Sequence, residues 1–208
     1  MATTRSLFVT SLYEASFADD PGFEAFNADL EAACRMLAAE DRAGCVWSKV
    51  NRYGGYTSYA SLDDLPSRAT VFAELKRRLD AKAREFGGSL ALDLGRRGRL
   101  KLDSMWVSIL RKGAGHSGHI HPSSVLSGTL YVAVPPRGGT LRLEDPRLPL
   151  MMAAPPRRSD APEGQRSFVT LEPKAGTLFM WESWLRHEVP AGGSKADRVS
   201  LSFNYAWR

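Results

Sequence analysis

The sequence predicts an α+β protein in which helices come first and a β-sandwich or barrel follows. Two segments before residue 88 repeat apolar residues at three- and four-residue spacing, which is helical. From about residue 89 the spacing changes to two, the period of a half-buried strand. Glycine and proline then punctuate the chain so often that each strand must be short. Helices followed by runs of strands belong to α+β rather than to alternating α/β architecture.

The first helix is expected over "FEAFNADLEAACRMLAAE", where Phe23, Phe26, Leu30, Ala33 and Leu37 form one stripe behind Pro21. The stretch "VWSKVNRYGGYTSYASLDDLP" is aromatic and glycine-containing and reads as irregular. A second helix is expected over "SRATVFAELKRRLDAKAREFGG", with Phe72, Leu75, Leu79, Ala83 and Phe86 as its buried stripe. Ser67 is its expected N-cap, and Gly87-Gly88 its stop. Seven strands are expected: "SLALDLG", "KLDSMWVSILR", "LSGTLYVAV", "GTLRLED", "SFVTLEP", "GTLFMWE" and "RVSLSFNYAW". The proline-rich stretch from Pro146 to Arg166 interrupts them, and a loop of that length is usually functional or disordered. No linker divides the chain, so residues 1–208 are expected to form one domain, helical to about 88 and β from about 89.

With 43% hydrophobic and 25% charged residues the composition is that of a globular protein. No apolar run approaches the ~20 residues of a membrane span. The opening "MATTRSLFVTSLYE" lacks the features of a secretory signal, so a cytoplasmic location is expected. Cys34 and Cys45 lack CxxC spacing and are expected to be free thiols. Much of the net charge of +5 comes from "KRRLDAKAR", a solvated helix face, and "RRGRLK", which reads as a turn between two strands. No aromatic residues interleave with these cations, so no nucleic-acid partner is expected.

The chain has four histidines, and three of them, His116, His119 and His121, fall in "GHSGHIHPSS". On a strand, residues two apart share a face, so His119 and His121 can converge on one ion. Imidazole is the commonest metal ligand near neutral pH. A third ligand must come from elsewhere, and His187, in "WESWLRHEVP", is the remaining histidine; a barrel would bring it opposite the pair. His116 lies in a glycine-flanked turn and is expected at the rim of such a site. Further on, Arg198, Ser200, Ser202 and Asn204 alternate with Val199, Leu201, Phe203 and Tyr205. Arg198 with Ser200 offers a planar donor and a hydroxyl on one face, suited to an organic acid.

HxH, a later histidine and Arg-x-Ser together resemble the double-stranded β-helix oxygenases that use Fe(II) and 2-oxoglutarate. More narrowly, "HIHPSSVLSGTLYVAVP", "EDPR" and "LFMWESWLRHEVPAGGSKADRVSLSFNY" resemble a bacterial and phage subfamily of these enzymes, from about Trp106 to Tyr205. The resemblance implies a jelly-roll, cupin-like core with the N-terminal helices packed against it. It implies iron held by His119, His121 and His187, and the distal carboxylate of 2-oxoglutarate bound by Arg198 and Ser200 with a hydroxyl from Tyr131. Asn204 and Trp106 would line the pocket, and Met151, Met152, Trp181 and Trp184 are candidates for closing it. The implied reaction consumes O2 and 2-oxoglutarate, releases succinate and CO2, and hydroxylates an unactivated C–H bond of a small molecule or peptide. A homodimer is left open.

One feature departs from the wider superfamily, which carries Asp or Glu two residues after the first histidine where this chain has His121. Glu144 or Asp145 is the alternative ligand, and zinc the alternative metal. Two rival functions remain: a three-histidine cupin dioxygenase without 2-oxoglutarate, which would not need Arg198, and a non-catalytic, metal-stabilised binding module.

Overall fold

A computed structural model describes residues 1–208. Ten strands and three α-helices follow in the order β1 (Leu12–Ser16), α1 (Phe23–Glu40), α2 (Arg42–Val50), β2 (Gly55–Thr57), α3 (Thr70–Ser89), β3 (Leu100–Leu110), β4 (His116–His119), β5 (Leu126–Ala133), β6 (Leu141–Glu144), β7 (Phe168–Leu171), β8 (Thr177–Glu182), β9 (His187–Val189) and β10 (Arg198–Trp207). They form a six-stranded sheet, β1-β8-β5-β10-β3-β2, and a four-stranded sheet, β4-β9-β6-β7, in which all neighbours are antiparallel. From β3 to β10 the chain thus changes sheet at every step except the β6–β7 hairpin, the double-stranded β-helix. No helix is long and apolar enough to cross a membrane.

The large sheet separates two interiors. Along β10, Val199, Leu201, Phe203 and Tyr205 face outward onto α1 and α3, and join Leu30, Phe72, Leu75, Leu79 and Phe86 in the main core. Those helical positions repeat every three or four residues, so one stripe of each helix covers the sheet. The alternate residues of β10, Arg198, Ser200, Ser202 and Asn204, face the space between the sheets. Their register sets Ser200 between Ser108 and Tyr131, and Ser202 between Trp106 and Thr129. The sandwich interior is therefore lined with hydroxyls, an arrangement that an apolar core would not require.

α1 covers the expected span. α3 begins at Thr70 after Ala69 and continues through Gly87-Gly88 to Ser89, so Ser67 is not its cap. Ser67 instead closes the preceding turn by donating its hydroxyl to the Asp64 carbonyl, 2.8 Å away. Residues 90–99 are turns rather than the expected strand; Ala91 and Gly95 have positive φ, which breaks the extended run. "RRGRLK" accordingly joins this turn to β3, not one strand to another. Strands β1 and β2, from the N-terminal part, extend the large sheet at its two edges, so the helical and β halves interleave. Both are short and lack a clear period of two, which hid them. The thiols of Cys34 and Cys45 are free as expected.

The stretch expected to be irregular begins within α2, whose last five residues it supplies, and the joint between α1 and α2 is Asp41. Its carboxylate accepts from Gly44 N at 2.9 Å, Tyr56 Oη at 2.9 Å and Ser61 Oγ at 2.5 Å, capping α2 and tying it to β2. Gly44 leaves no room for a β-carbon against that carboxylate. Burial alone would raise the Asp41 pKa, but the donors from Gly44, Ser61 and Tyr56 outweigh it and hold the group below its usual value. The stabilisation is thus present above the unfolded carboxyl value near 4 and is lost as pH falls through the lower folded one. Asp41→Ala is expected to lower unfolding free energy in urea by about 2–3 kcal/mol, because it removes a cap and strands buried donors. A loss under about 0.5 kcal/mol would show that the joint does not depend on this carboxylate.

Candidate functional site

Three histidines converge in the space between the sheets. The ligand nitrogens of His119, His121 and His187 all lie within 4.8 Å of one another. β4 ends at His119, whose backbone is the register partner of His187 on the adjacent strand β9. His187 therefore arrives from the neighbouring strand, not from across the barrel as expected. His121 lies past the end of β4, so strand alternation does not place it. Its backbone N–H donates to the Ser183 carbonyl at 2.9 Å and its own carbonyl accepts from Ser124 N, which turns the ring inward. The ring centroids are 4.3 Å (His119–His187), 5.1 Å (His119–His121) and 5.2 Å (His121–His187) apart.

Backbone carbonyls orient two of these rings. His119 Nδ1 lies 2.8 Å from Ser117 O, and His187 Nδ1 lies 2.9 Å from Leu185 O. A carbonyl only accepts, so Nδ1 carries the proton in each, and Nε2 keeps its lone pair for a ligand bond. Burial, reinforced by repulsion within the cluster, pushes His121 down to about 4 and His187 down to about 3; burial also lowers His119. The cluster is thereby neutral at physiological pH, the form that binds metal. Glu144 pairs with Arg186 at 3.0 Å and Asp145 with Arg147 at 2.9 Å, and neither joins the cluster, so the carboxylate alternative falls.

His116 stacks on His119 at 4.2 Å between centroids and lies outside the convergent set, consistent with its expected place at the rim. Burial, with repulsion from the neighbouring rings, lowers it to about 4. Tyr53 meets His116 edge-on at 5.6 Å and donates its hydroxyl to Ser108 Oγ at 3.1 Å. Sequence reasoning missed Tyr53; its only signal was its position in an aromatic, glycine-rich stretch. Trp106 lines the cavity as expected, between His121 and the half-exposed Tyr59, 5.9 Å and 5.0 Å away.

At the other end of the same cavity lies Arg198, only 3% exposed. It forms no ion pair, and its Nε and Nη1 are buried without a hydrogen-bond partner. Tyr131 packs beneath it, 5.4 Å from guanidinium carbon to ring centroid. Ser200 and Tyr131, side by side across β10 and β5, open into the cavity with it. An unpaired buried guanidinium costs several kcal/mol unless an anion compensates it. Gly139, at φ 97, lets its loop close over this end, where a β-carbon would stand 3.5 Å from Arg198 Nη1.

Several expected lining residues lie elsewhere. Asn204 is spent in a structural network, accepting from Ser127 Oγ at 2.7 Å and donating to Ser104 Oγ at 3.2 Å. Met152 is exposed on the long loop and Trp184 is 45% exposed outside the cavity, which Met151 does not line either. Trp181 does line it, with its ring 4.6 Å from His187.

Residues 104–204 match the family described as "Putative 2OG-Fe(II) oxygenase". No curated protein matches the chain in sequence. Solved structures share the fold at low identity. The epimerase SnoN, crystallised with Fe3+, alpha ketoglutarate and nogalamycin RO, has a TM-score of 0.64 at 17% identity, over 95% of this chain and 79% of its own. A prolyl-4-hydroxylase from Pseudomonas putida has a TM-score of 0.61 at 19% identity, over 95% of this chain and 92% of its own. HygX from Streptomyces hygroscopicus, with nickel and 2-oxoglutarate bound, has a TM-score of 0.57 at 16% identity, over 95% of this chain and 82% of its own. The family match falls on the β-helix that carries the histidine cluster and Arg198, so this part of the chain is similar to the 2OG-Fe(II) oxygenases, and the chain shares the fold of the solved structures above.

Proposed function

We propose that this protein is an Fe(II)- and 2-oxoglutarate-dependent dioxygenase that hydroxylates an unactivated C–H bond of a small-molecule or peptide substrate. The observation that carries the reading is Arg198: a buried cation with two unpartnered nitrogens, sharing one cavity with three neutral histidines. That pairing suits a dicarboxylate with a keto acid at one end. His119, His121 and His187 would hold Fe(II), and both the family match and the neighbours bound to iron or nickel support that assignment. When bound, the iron supplies O2 activation coupled to decarboxylation of 2-oxoglutarate to succinate and CO2.

The chain's own residues bind, orient and shield. Arg198 takes the distal carboxylate through its free Nε and Nη1, with hydroxyls from Ser200 and Tyr131 beside it. Ser117 and Leu185 carbonyls keep the Nε2 lone pairs of His119 and His187 aimed at the metal. Three neutral ligands leave the full ionic charge uncompensated, so the dianionic cosubstrate does more of the neutralising here than beside a carboxylate. Trp106, Trp181 and Tyr53 keep bulk water from the reacting centre.

Anaerobic addition of Fe(II) and then 2-oxoglutarate to metal-free protein tests the assignment. A visible charge-transfer band requiring both additions, and absent in His187→Ala, is the expected result. Iron binding without a band would favour the three-histidine dioxygenase that dispenses with 2-oxoglutarate. Failure to bind iron would remove the oxygenase reading.

A further inference from the structure

A second site lies at the opposite end of β10, on the helical side of the large sheet. There α3 and the turn of residues 90–99 enclose a groove lined by Lys76, Arg84, Arg99 and Lys101, with a volume of about 720 Å3. Arg96 and Arg97 project from the same turn and are exposed. The acids nearby are already engaged. Asp80 pairs with Lys76 and accepts from Tyr205 Oη at 2.8 Å, Asp103 pairs with Arg208 at 2.8 Å, and Glu85 pairs with Lys82 at 3.5 Å. Asp93 caps its own turn by accepting from Gly95 N at 2.8 Å. Arg84, Arg96, Arg97, Arg99 and Lys101 are left without a carboxylate partner.

Sequence alone argued against a nucleic-acid partner because no aromatic side chain stood among these cations. Folding supplies one. Trp207 pairs with Leu100 across β10 and β3, and its indole N–H donates to Leu94 O at 3.1 Å, pinning the ring against the turn. A β-carbon on Gly98 would collide with both the Leu94 carbonyl and that indole, so the glycine is what lets the ring nitrogen reach the turn. The ring stays 57% exposed at the rim of the groove. An exposed, oriented indole beside unneutralised cations is the combination that single-stranded nucleic acid recognises, one base stacking while phosphates track the charges.

We propose that this groove and Trp207 form a binding site for single-stranded nucleic acid, separate from the metal-centred cavity. Nine residue steps along β10 part Trp207 from Arg198, about 30 Å at strand rise. The site is independent of the oxygenase reading. The probe is a fluorescein-labelled twelve-nucleotide oligothymidylate, titrated with full-length protein in 50 mM salt and followed by anisotropy. Binding is expected to weaken steeply with added salt, each lost phosphate contact reducing the logarithmic slope by about 0.7 on a single strand. Arg96→Ala/Arg97→Ala should weaken binding at least tenfold and reduce that slope by about 1.4. Trp207→Leu should weaken it about five- to a hundredfold while leaving the slope unchanged, because it removes stacking and not charge. Circular dichroism checks that each variant folds. No binding at 100 µM protein would overturn the proposal. So would Trp207→Leu binding as well as wild type, or polyglutamate competing as effectively as unlabelled oligothymidylate, since either outcome reduces the site to a general anion surface.

Discussion

Arg198→Met is expected to separate binding from folding. In the metal-loaded protein it should weaken 2-oxoglutarate by more than a hundredfold, because a fully desolvated, charge-assisted contact is worth about 3–5 kcal/mol. In the ligand-free protein the same change should leave stability unchanged or raise it. The wild-type guanidinium is 3% exposed, with two nitrogens unpaired, and methionine removes that desolvation cost while filling similar space. Thermal unfolding with and without 2-oxoglutarate reads both effects together. At a hundred times its dissociation constant the cosubstrate adds about 2.7 kcal/mol to wild type, and the variant should gain less than about 0.4 kcal/mol at the same concentration. A variant that is destabilised without ligand, yet still responds to 2-oxoglutarate, would show that Arg198 is structural.

The second large effect is acid lability of the metal-free protein. His116 and His121 sit at about 4 and His187 at about 3, depressed first by burial and then by one another. An imidazole in the unfolded chain titrates near 6.5. Between that value and the folded ones the unfolded state binds more protons, so stability falls as pH drops from about 6.5 toward 4. His187 alone accounts for a loss of roughly 3 kcal/mol over that window, a large part of the ~5–15 kcal/mol that holds a domain together. Urea unfolding at pH 7.5, 6.5, 5.5 and 4.5 should therefore show a steep decline, flattened in His187→Leu. Stability that stays level from pH 7.5 to 5.5 in wild type would mean that the imidazoles titrate normally and that the cluster is open to water.

These two results meet at one point of design. The cavity stores an unpaired cation at one end and three imidazoles held neutral at the other, and both cost stability in the empty protein. Such a cost is expected where residues are arranged for a ligand, since a bound anion and a bound metal each relieve it.

Much of this was legible before folding. The helical stripe from Phe23 to Leu37 and the alternation along β10 each depend on a local period, and a period is written in the chain itself. The polar face of β10 already marked Arg198 and Ser200 as unusual, because a buried strand seldom spends alternate positions on hydrophilic groups. Other features were hidden because long-range contacts decide them. β1 and β2 are strands only because the edges of the large sheet offer hydrogen bonds to them. His187 sits beside His119 through register, and His121 is turned inward by a hydrogen bond to Ser183, 62 residues away. Asn204, polar and on the expected face, was drawn into a hydroxyl network instead of the cavity. Trp207 meets the arginine turn across more than a hundred residues of chain. Periodicity sets which face a side chain takes, and this protein's sequence carried that information for α1, α3 and the long strands. Which side chains then meet depends on how strands pair and turns close, and only the tertiary structure fixes those distances.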